Sequence, residues 1–299
     1  MNALRVTKAG MLTLLEDNGR YGYAHIGITQ SGVLDGYSAT WVNKLLGNSP
    51  GTNMLEILLG NVSLVSTVDT HIAVCGAQAK LTINGIEHNM WKANKIKAGD
   101  SIEIGATQKG LRSYLGVKGG FLIEPDLGSC STTIKDGFSE KIANGDMLPC
   151  NEHKDSLLCA TPQIYIPRFL DVITLRVVLG YQSEYFSAEQ IENFFASAYT
   201  LSNQTNRMGC KLEGEKIIIE KELVSEAISF GAIQIPKDGQ PIVLLKERQT
   251  IGGYPKIGSV IPMDCFRLAQ AKPGTTVAFK EVSLEEAIEQ TKELYKFMA

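Results

Sequence analysis

The chain has 299 residues, 44% of them apolar and 20% charged, with 29 Lys+Arg against 32 Asp+Glu. That composition fits a globular protein of one large or two medium domains, and a net charge of -3 offers no basic footprint for nucleic acid. No apolar run reaches the ~18–20 residues that span a bilayer, and the opening MNALRVTKAG has no apolar core of the export-signal kind, so the cytoplasm is the expected compartment.

Strand patterns dominate, and helices are few. The first helix expected is capped by Asp35, turns Trp41, Val42, Leu45 and Leu46 to one side and stops at Gly47. Short apolar alternations separated by glycine or Asx turns follow at 62–65, 72–75, 80–83, 102–104 and 114–117, each the pattern of a half-buried strand. The polar stretch 151–156 and the prolines Pro162 and Pro167 suit a connection between two lobes, expected at 1–155 and 156–299. Beyond it come strands at 175–179, 217–219 and 277–279. Ser187 with Gln190 forms a capping box before Ile191, Phe194, Phe195, Ala198 and Tyr199. Ser283 with Glu286 repeats the device, placing Leu284, Ala287, Ile288, Thr291 and Tyr295 on one inward stripe. Cys75, Cys130, Cys150, Cys159, Cys210 and Cys265 are scattered, without a C-x-x-C pair or a histidine at zinc spacing, so neither disulfide nor metal site is expected.

The stretch 225–255 carries the most chemistry. Pro236, Gly239 and Pro241 bracket a turn between strand-like runs 232–235 and 242–245, a hairpin that delivers the polar loop 247–255 to one end of a sheet. Within four consecutive positions that loop presents Glu247, Arg248, Gln249 and Thr250, and Gly252 and Gly253 then allow close backbone approach. Side-chain amides both donate and accept, so Gln234, Gln249 and Asn43, with Thr250, are the right types to hold a small amide. A substrate carboxylate calls for a guanidinium fork, which Arg207, Arg248 or Arg20 could supply. Other chemistries are set aside. Residues 252–256 lack the order of a phosphate loop, and Gly27, Gly32 and Gly36 make no dinucleotide fingerprint. A triad of His25, Ser31 and Asp35 has no support beyond proximity in sequence.

Ordered blocks along the whole chain carry a family resemblance. They are Glu16-Asp17-Asn18-Gly19-Arg20-Tyr21-Gly22-Tyr23, Gln30-Ser31-Gly32-Val33-Leu34-Asp35, Asn43-Lys44-Leu45-Leu46-Gly47-Asn48, Gly110-Leu111-Arg112-Ser113-Tyr114-Leu115, Leu127-Gly128-Ser129, Ser202 through Gly209, and the 225–255 stretch. Together they resemble the allophanate hydrolase subunit 2 family, which includes the 5-oxoprolinase C subunit and the carboxyltransferase half of urea carboxylases. The resemblance implies a mainly β fold of two cyclophilin-like β-barrel lobes with a few peripheral helices. It further implies the C subunit of an ATP-dependent 5-oxoprolinase that opens 5-oxoproline to L-glutamate, working with sister A and B subunits and with ATP at a site completed by them. Glu247 stands where relatives commonly carry aspartate and is the best candidate for a proton acceptor, and Tyr254 could donate to a developing oxyanion or stack on the loop. Two alternatives accompany this reading: a carboxyltransferase acting on urea-like acceptors, and a non-catalytic regulator that binds a kinase-inhibitor partner. Carboxyl transfer would need biotin on a separate carrier chain, since no attachment sequence is present here. The chain departs from the family at Cys130 and at Glu140-Lys141, where relatives carry arginine.

Overall fold

In the computed structural model, which describes residues 2–219 and 223–299, the chain divides into two units. Eleven strands build the first: β1 (Ala3–Lys8), β2 (Leu12–Glu16), β3 (Met54–Leu58), β4 (Val62–Ser66), β5 (Thr70–Gln78), β6 (Leu81–Ile83), β7 (Ile86–His88), β8 (Ala93–Ile96), β9 (Ser101–Ile104), β10 (Lys109–Val117) and β11 (Met147–Pro149). They pair antiparallel into a six-stranded sheet, β11-β1-β4-β9-β6-β7, and a five-stranded sheet, β2-β3-β10-β5-β8. Five of them, β4, β5, β6, β9 and β10, lie where alternation predicts strands, and apolar side chains from both sheets fill the space between them. Leu4, Val6, Leu55, Ile57, Leu64, Ile72, Ile102 and Leu115 all lie in one buried cluster, each worth about 1.5–3 kcal/mol of transfer free energy. Helix α1 (Gly36–Leu46) starts as its sequence predicts, with the Asp35 carboxylate accepting from the Ser38 N–H, and ends at a left-handed Gly47. Its Val42, Leu45 and Leu46 pack with Ala73, Cys75 and Tyr114 of the five-stranded sheet.

The second unit contains β12 (Val172–Leu179), α2 (Ala188–Ala196), β13 (Ala198–Thr205), β14 (Gly209–Glu213), β15 (Glu226–Ala227), β16 (Ala232–Gln234), β17 (Ile242–Leu244), β18 (Ile251–Gly252), β19 (Lys256–Val260), α3 (Pro262–Leu268), β20 (Thr276–Glu281) and α4 (Leu284–Met298). Seven strands close a barrel in the order β12-β19-β16-β17-β14-β13-β20. Within it β12 and β20 run parallel. The remaining two strands, β15 and β18, pair with each other and form a short flap. Both predicted capping boxes are present, Ser187 with Gln190 on α2 and Ser283 with Glu286 on α4. Among the described residues no helix is long and apolar enough to cross a membrane.

Five expectations need adjusting. Residues 151–169 belong with the first unit, so the division falls between Phe169 and Leu170, not between 155 and 156. The cause is hydrogen bonding: Ala93 N–H donates to Cys159 O, Thr161 N–H to Trp91 O, and Tyr37 Oη to Tyr165 O. Residues 22–30 group with the second unit although both flanks belong to the first. Ala198 and Tyr199 are the start of β13, because α2 ends at Ala196, and 217–219 form no strand although Ile217 is buried. On α4 Ala287 and Leu294 are the buried positions. Leu284, Ile288 and Tyr295, expected to face inward, are 57%, 44% and 57% exposed.

Candidate active site in the second unit

The hairpin predicted between 232 and 245 forms, with Ile233 opposite Val243 and Gln234 opposite Ile242. On its other edge β16 pairs with β19, where Ile233 faces Gly258 but Gln234 faces Lys256. The skipped residue, Ile257, makes a β-bulge there and stays fully buried. Bulges re-aim side chains, and this one sets Lys256 beside Gln234. Gln234 is 1% exposed, and among the described residues its Nε2 has no hydrogen-bond partner. A buried amide donor left unmet costs about 1–3 kcal/mol.

The flap covers this amide. A Cβ added to Gly252 would meet Ile228 Cδ1 at 2.7 Å, Gln234 Nε2 at 2.9 Å and Gln249 Nε2 at 3.7 Å. The two glutamine amides therefore converge on a glycine, where an added Cβ would have to displace the ends of the Ile228 and Gln234 side chains. Gly253 lies against backbone as well, with Leu223 O 3.0 Å from its Cβ position. Thr250 contributes its carbonyl, which accepts from the Ile228 N–H. Tyr254 follows the glycines and is 44% exposed.

Glu226, on β15, holds the flap to the barrel rim. Its Oε1 lies 2.6 Å from Lys256 Nζ, and it accepts from Gln182 Nε2 at 2.7 Å and from the Tyr181 hydroxyl. Gln182 Oε1 in turn accepts from the Lys256 N–H at 2.8 Å. The Lys256 ammonium, with the Tyr181 hydroxyl next, holds the Glu226 carboxyl below the ordinary carboxylate range. Glu226 conversely pushes the Tyr181 phenol up. Sequence reasoning missed this group. Glu226, Lys256 and the neighbours Tyr181 and Gln182 come from three distant parts of the chain, and no local motif links them.

The guanidiniums occupy structural positions. Arg207 Nε donates to Glu247 Oε1 at 2.5 Å, with both side chains largely buried, and the Glu247 N–H donates back to Arg207 O. Arg248 donates to Ile228 O and Leu245 O. In the first unit Arg20 is 3% exposed and donates to Asp126 O, Thr133 Oγ1, Ser129 O and Ser131 O, with its guanidinium over the Phe138 ring. Asn43 also lies in the first unit, where its amide donates to Thr52 O and accepts from Asn48 Nδ2 at the end of α1. Of the departures from the family pattern, Cys130 is half-buried and donates its N–H to Asp17 Oδ2, whereas Glu140 and Lys141 are exposed.

Outside the flap, a groove of about 650 Å³ runs between β12, β19 and α4, lined by Val178, Val260, Pro262, Ile288 and Tyr295 and reaching Lys256, Gln182 and Tyr181 at one end. A mostly apolar cleft of that size with convergent polar groups at its end has the character of a ligand site.

A flap-covered barrel with two neighbouring amides and an ion-paired lysine beside a cleft defines a class by its architecture: a closed β-barrel domain with a covered rim. The model of the carboxyltransferase domain, subdomain A and B, matches residues 26–281, and the chain belongs to that family. It is 34% identical to the 5-oxoprolinase C subunit of Escherichia coli (strain K12) over 98% of this chain and 96% of that protein. The protein of the same name in Haemophilus influenzae is 32% identical, over 91% and 89%. Among solved structures, Kluyveromyces lactis urea amidolyase superposes with a TM-score of 0.92 at 27% identity. It matches 99% of this chain but only 20% of its own length.

Proposed function

We propose that this chain is the C subunit of an ATP-dependent 5-oxoprolinase, acting in a complex with A and B subunits in the cytoplasm. One observation carries the reading: the likeness to proteins named as 5-oxoprolinase C subunits runs over nearly the full length of both partners, whereas the urea amidolyase of Saccharomyces cerevisiae, 30% identical, is matched over only 17% of its length. In this reading the lactam carbonyl of 5-oxoproline accepts from Gln234 Nε2, the buried amide nitrogen without a partner among the described residues. Gln249 meets the ring N–H, and the backbone at Gly252 and Gly253 allows the ring to approach. Water adds its oxygen to the carbonyl carbon, the C–N bond breaks and the ring nitrogen takes the proton, giving L-glutamate. Glu247, held in place by Arg207, accepts the proton from water, and Tyr254 donates to the oxyanion. ATP hydrolysis drives the opening at a site completed by the other subunits.

The test is steady-state kinetics of the chain alone and with A and B subunits, on 5-oxoproline plus ATP and on urea plus carboxybiotin. Lactam opening by the complex, and by none of its parts, is expected. Turnover of urea with carboxybiotin would replace this reading with carboxyl transfer. Activity on neither would favour a regulator. Gln249→Ala is expected to keep the melting temperature and lower turnover about tenfold or more, the loss of one amide contact worth about 1–3 kcal/mol.

A further inference from the structure

A cyclic amide that carries a carboxylate needs a cation as well as an amide donor, and the arginines of the second unit are already committed. Arg207 is paired with Glu247, Arg248 with two carbonyls, Arg176 with Asp264, and Arg267 with Thr174 O and Asp264. Lys256 differs from them in three ways. It is the strand partner of Gln234, and directly opposed residues of an antiparallel pair set their side chains about 4.5–5.5 Å apart on one face. It lines the open groove. Its Nζ, buried in the protein, is held by the charge of Glu226 without a hydrogen bond of good geometry among the described residues.

Glu226 is suited to giving up that lysine. It sits on a two-residue strand of the flap and is about one-third exposed. Its remaining partners, Tyr181 Oη and Gln182 Nε2, can retain it when the ammonium leaves. We propose that Lys256 anchors the substrate carboxylate beside Gln234, and that Glu226 is its exchangeable counter-ion in the empty site. This rests on the lactam-opening reading above and adds the residue that sets its preference for a carboxylate-bearing ring. Substrate then exchanges one carboxylate for another at Lys256, so the buried ammonium is never left alone, which would be costly.

The experiment uses the complex reconstituted with A and B subunits. Its substrates are 5-oxoproline and 2-pyrrolidinone, the same ring without the carboxylate. Lys256→Met is expected to raise KM for 5-oxoproline about tenfold or more with kcat within about threefold, the pattern of a lost charged contact to substrate. Its kcat/KM for 2-pyrrolidinone should stay at the wild-type value. Lys256→Arg restores most of the 5-oxoproline affinity. Glu226→Gln lowers KM for 5-oxoproline, because a neutral amide competes poorly for the ammonium. Unchanged KM in Lys256→Met, or equal losses on both substrates, overturns the anchor and leaves the function reading intact. A wild-type complex inactive on 5-oxoproline overturns both. Should Lys256→Met fail to fold, a near-wild-type KM in Lys256→Arg together with a lowered KM in Glu226→Gln supports the anchor, and a raised KM in both overturns it.

Discussion

At the scale of single residues, the site depends on a few atoms that have no slack. Gly252 lies 2.9 Å, measured from the Cβ it lacks, from the Gln234 amide nitrogen. Gly252→Ala must therefore push the ends of the Gln234 and Ile228 side chains aside, and lower turnover with a nearly native melting temperature is the expected result by kinetics and calorimetry. The Arg207–Glu247 pair is largely buried, so neutralising Glu247 takes a charged partner from a guanidinium held away from water. Glu247→Gln should cost up to about 3–5 kcal/mol in urea unfolding, so its kinetics have meaning only beside a melting curve. The amides and glycines of this site are legible in the sequence as chemistry, but the hairpin itself sets Gln234 opposite Ile242, and Gln249 comes near Gln234 only because the chain beyond the hairpin folds back through β18. Arg207 and Arg248 are legible as chemistry but not as structure. A guanidinium suited to a ligand is equally suited to a carbonyl or a carboxylate of its own chain, and only packing decides between them. Lys256 gives no such signal, because its position beside Gln234 depends on a bulge at Ile257, which no alternation pattern announces.

At the scale of elements, local chemistry transfers well and periodicity less so. Capping boxes are satisfied by neighbours three residues away, so Ser187 and Ser283 mark helix starts whatever the tertiary setting. Ser283→Ala should cost about 1 kcal/mol. The apolar stripe of α4 is also real, but the stripe alone cannot reveal that Ile288 lines a groove instead of a core. Leu294→Ala is accordingly expected to cost about 2–5 kcal/mol, and Ile288→Ala well under half of that; paired urea titrations compare them directly. Strand β13 gives a third case. Tyr199 is 1% exposed beside Phe194 and Phe279, and among the described residues its hydroxyl has no hydrogen-bond partner. Burial pushes its phenol up to about 12. Tyr199→Phe removes an unmet polar group while keeping the ring, so it should leave stability unchanged or raise it by about 1 kcal/mol.

At the scale of the whole molecule, the mainly β reading holds because alternation fixes which face of each strand is buried, and two sheets and a barrel follow from that. Closure of the barrel through the parallel pair β12–β20 lies outside what local pattern can encode, since the partners are about a hundred residues apart. Acid sensitivity is also a property of the whole fold. His71 is 1% exposed with neither ring nitrogen hydrogen-bonded among the described residues, and burial holds its imidazole below the ordinary histidine range. The unfolded chain therefore binds the proton first, and stability declines as pH falls below about 6.5 until the depressed native value is reached. Melting temperatures from pH 7.5 to 5 should show this decline, and His71→Gln should flatten it.

The grouping of 22–30 with residues 170–299 has a consequence for biosynthesis. A ribosome adding about 5–20 residues per second releases this segment early, and its partners begin to emerge only some 140 residues later. For many seconds the nascent first unit carries an unplaced stretch that includes Thr29, which is buried in the finished protein. A chain stopped at Phe169 would keep it so permanently. Brief proteolysis of stalled and completed chains should cut at 28–30 in the former and spare those positions in the latter, while 24–27, exposed in the finished protein, stay open in both; the second half of the gene would then be the guardian of a few residues encoded near its start.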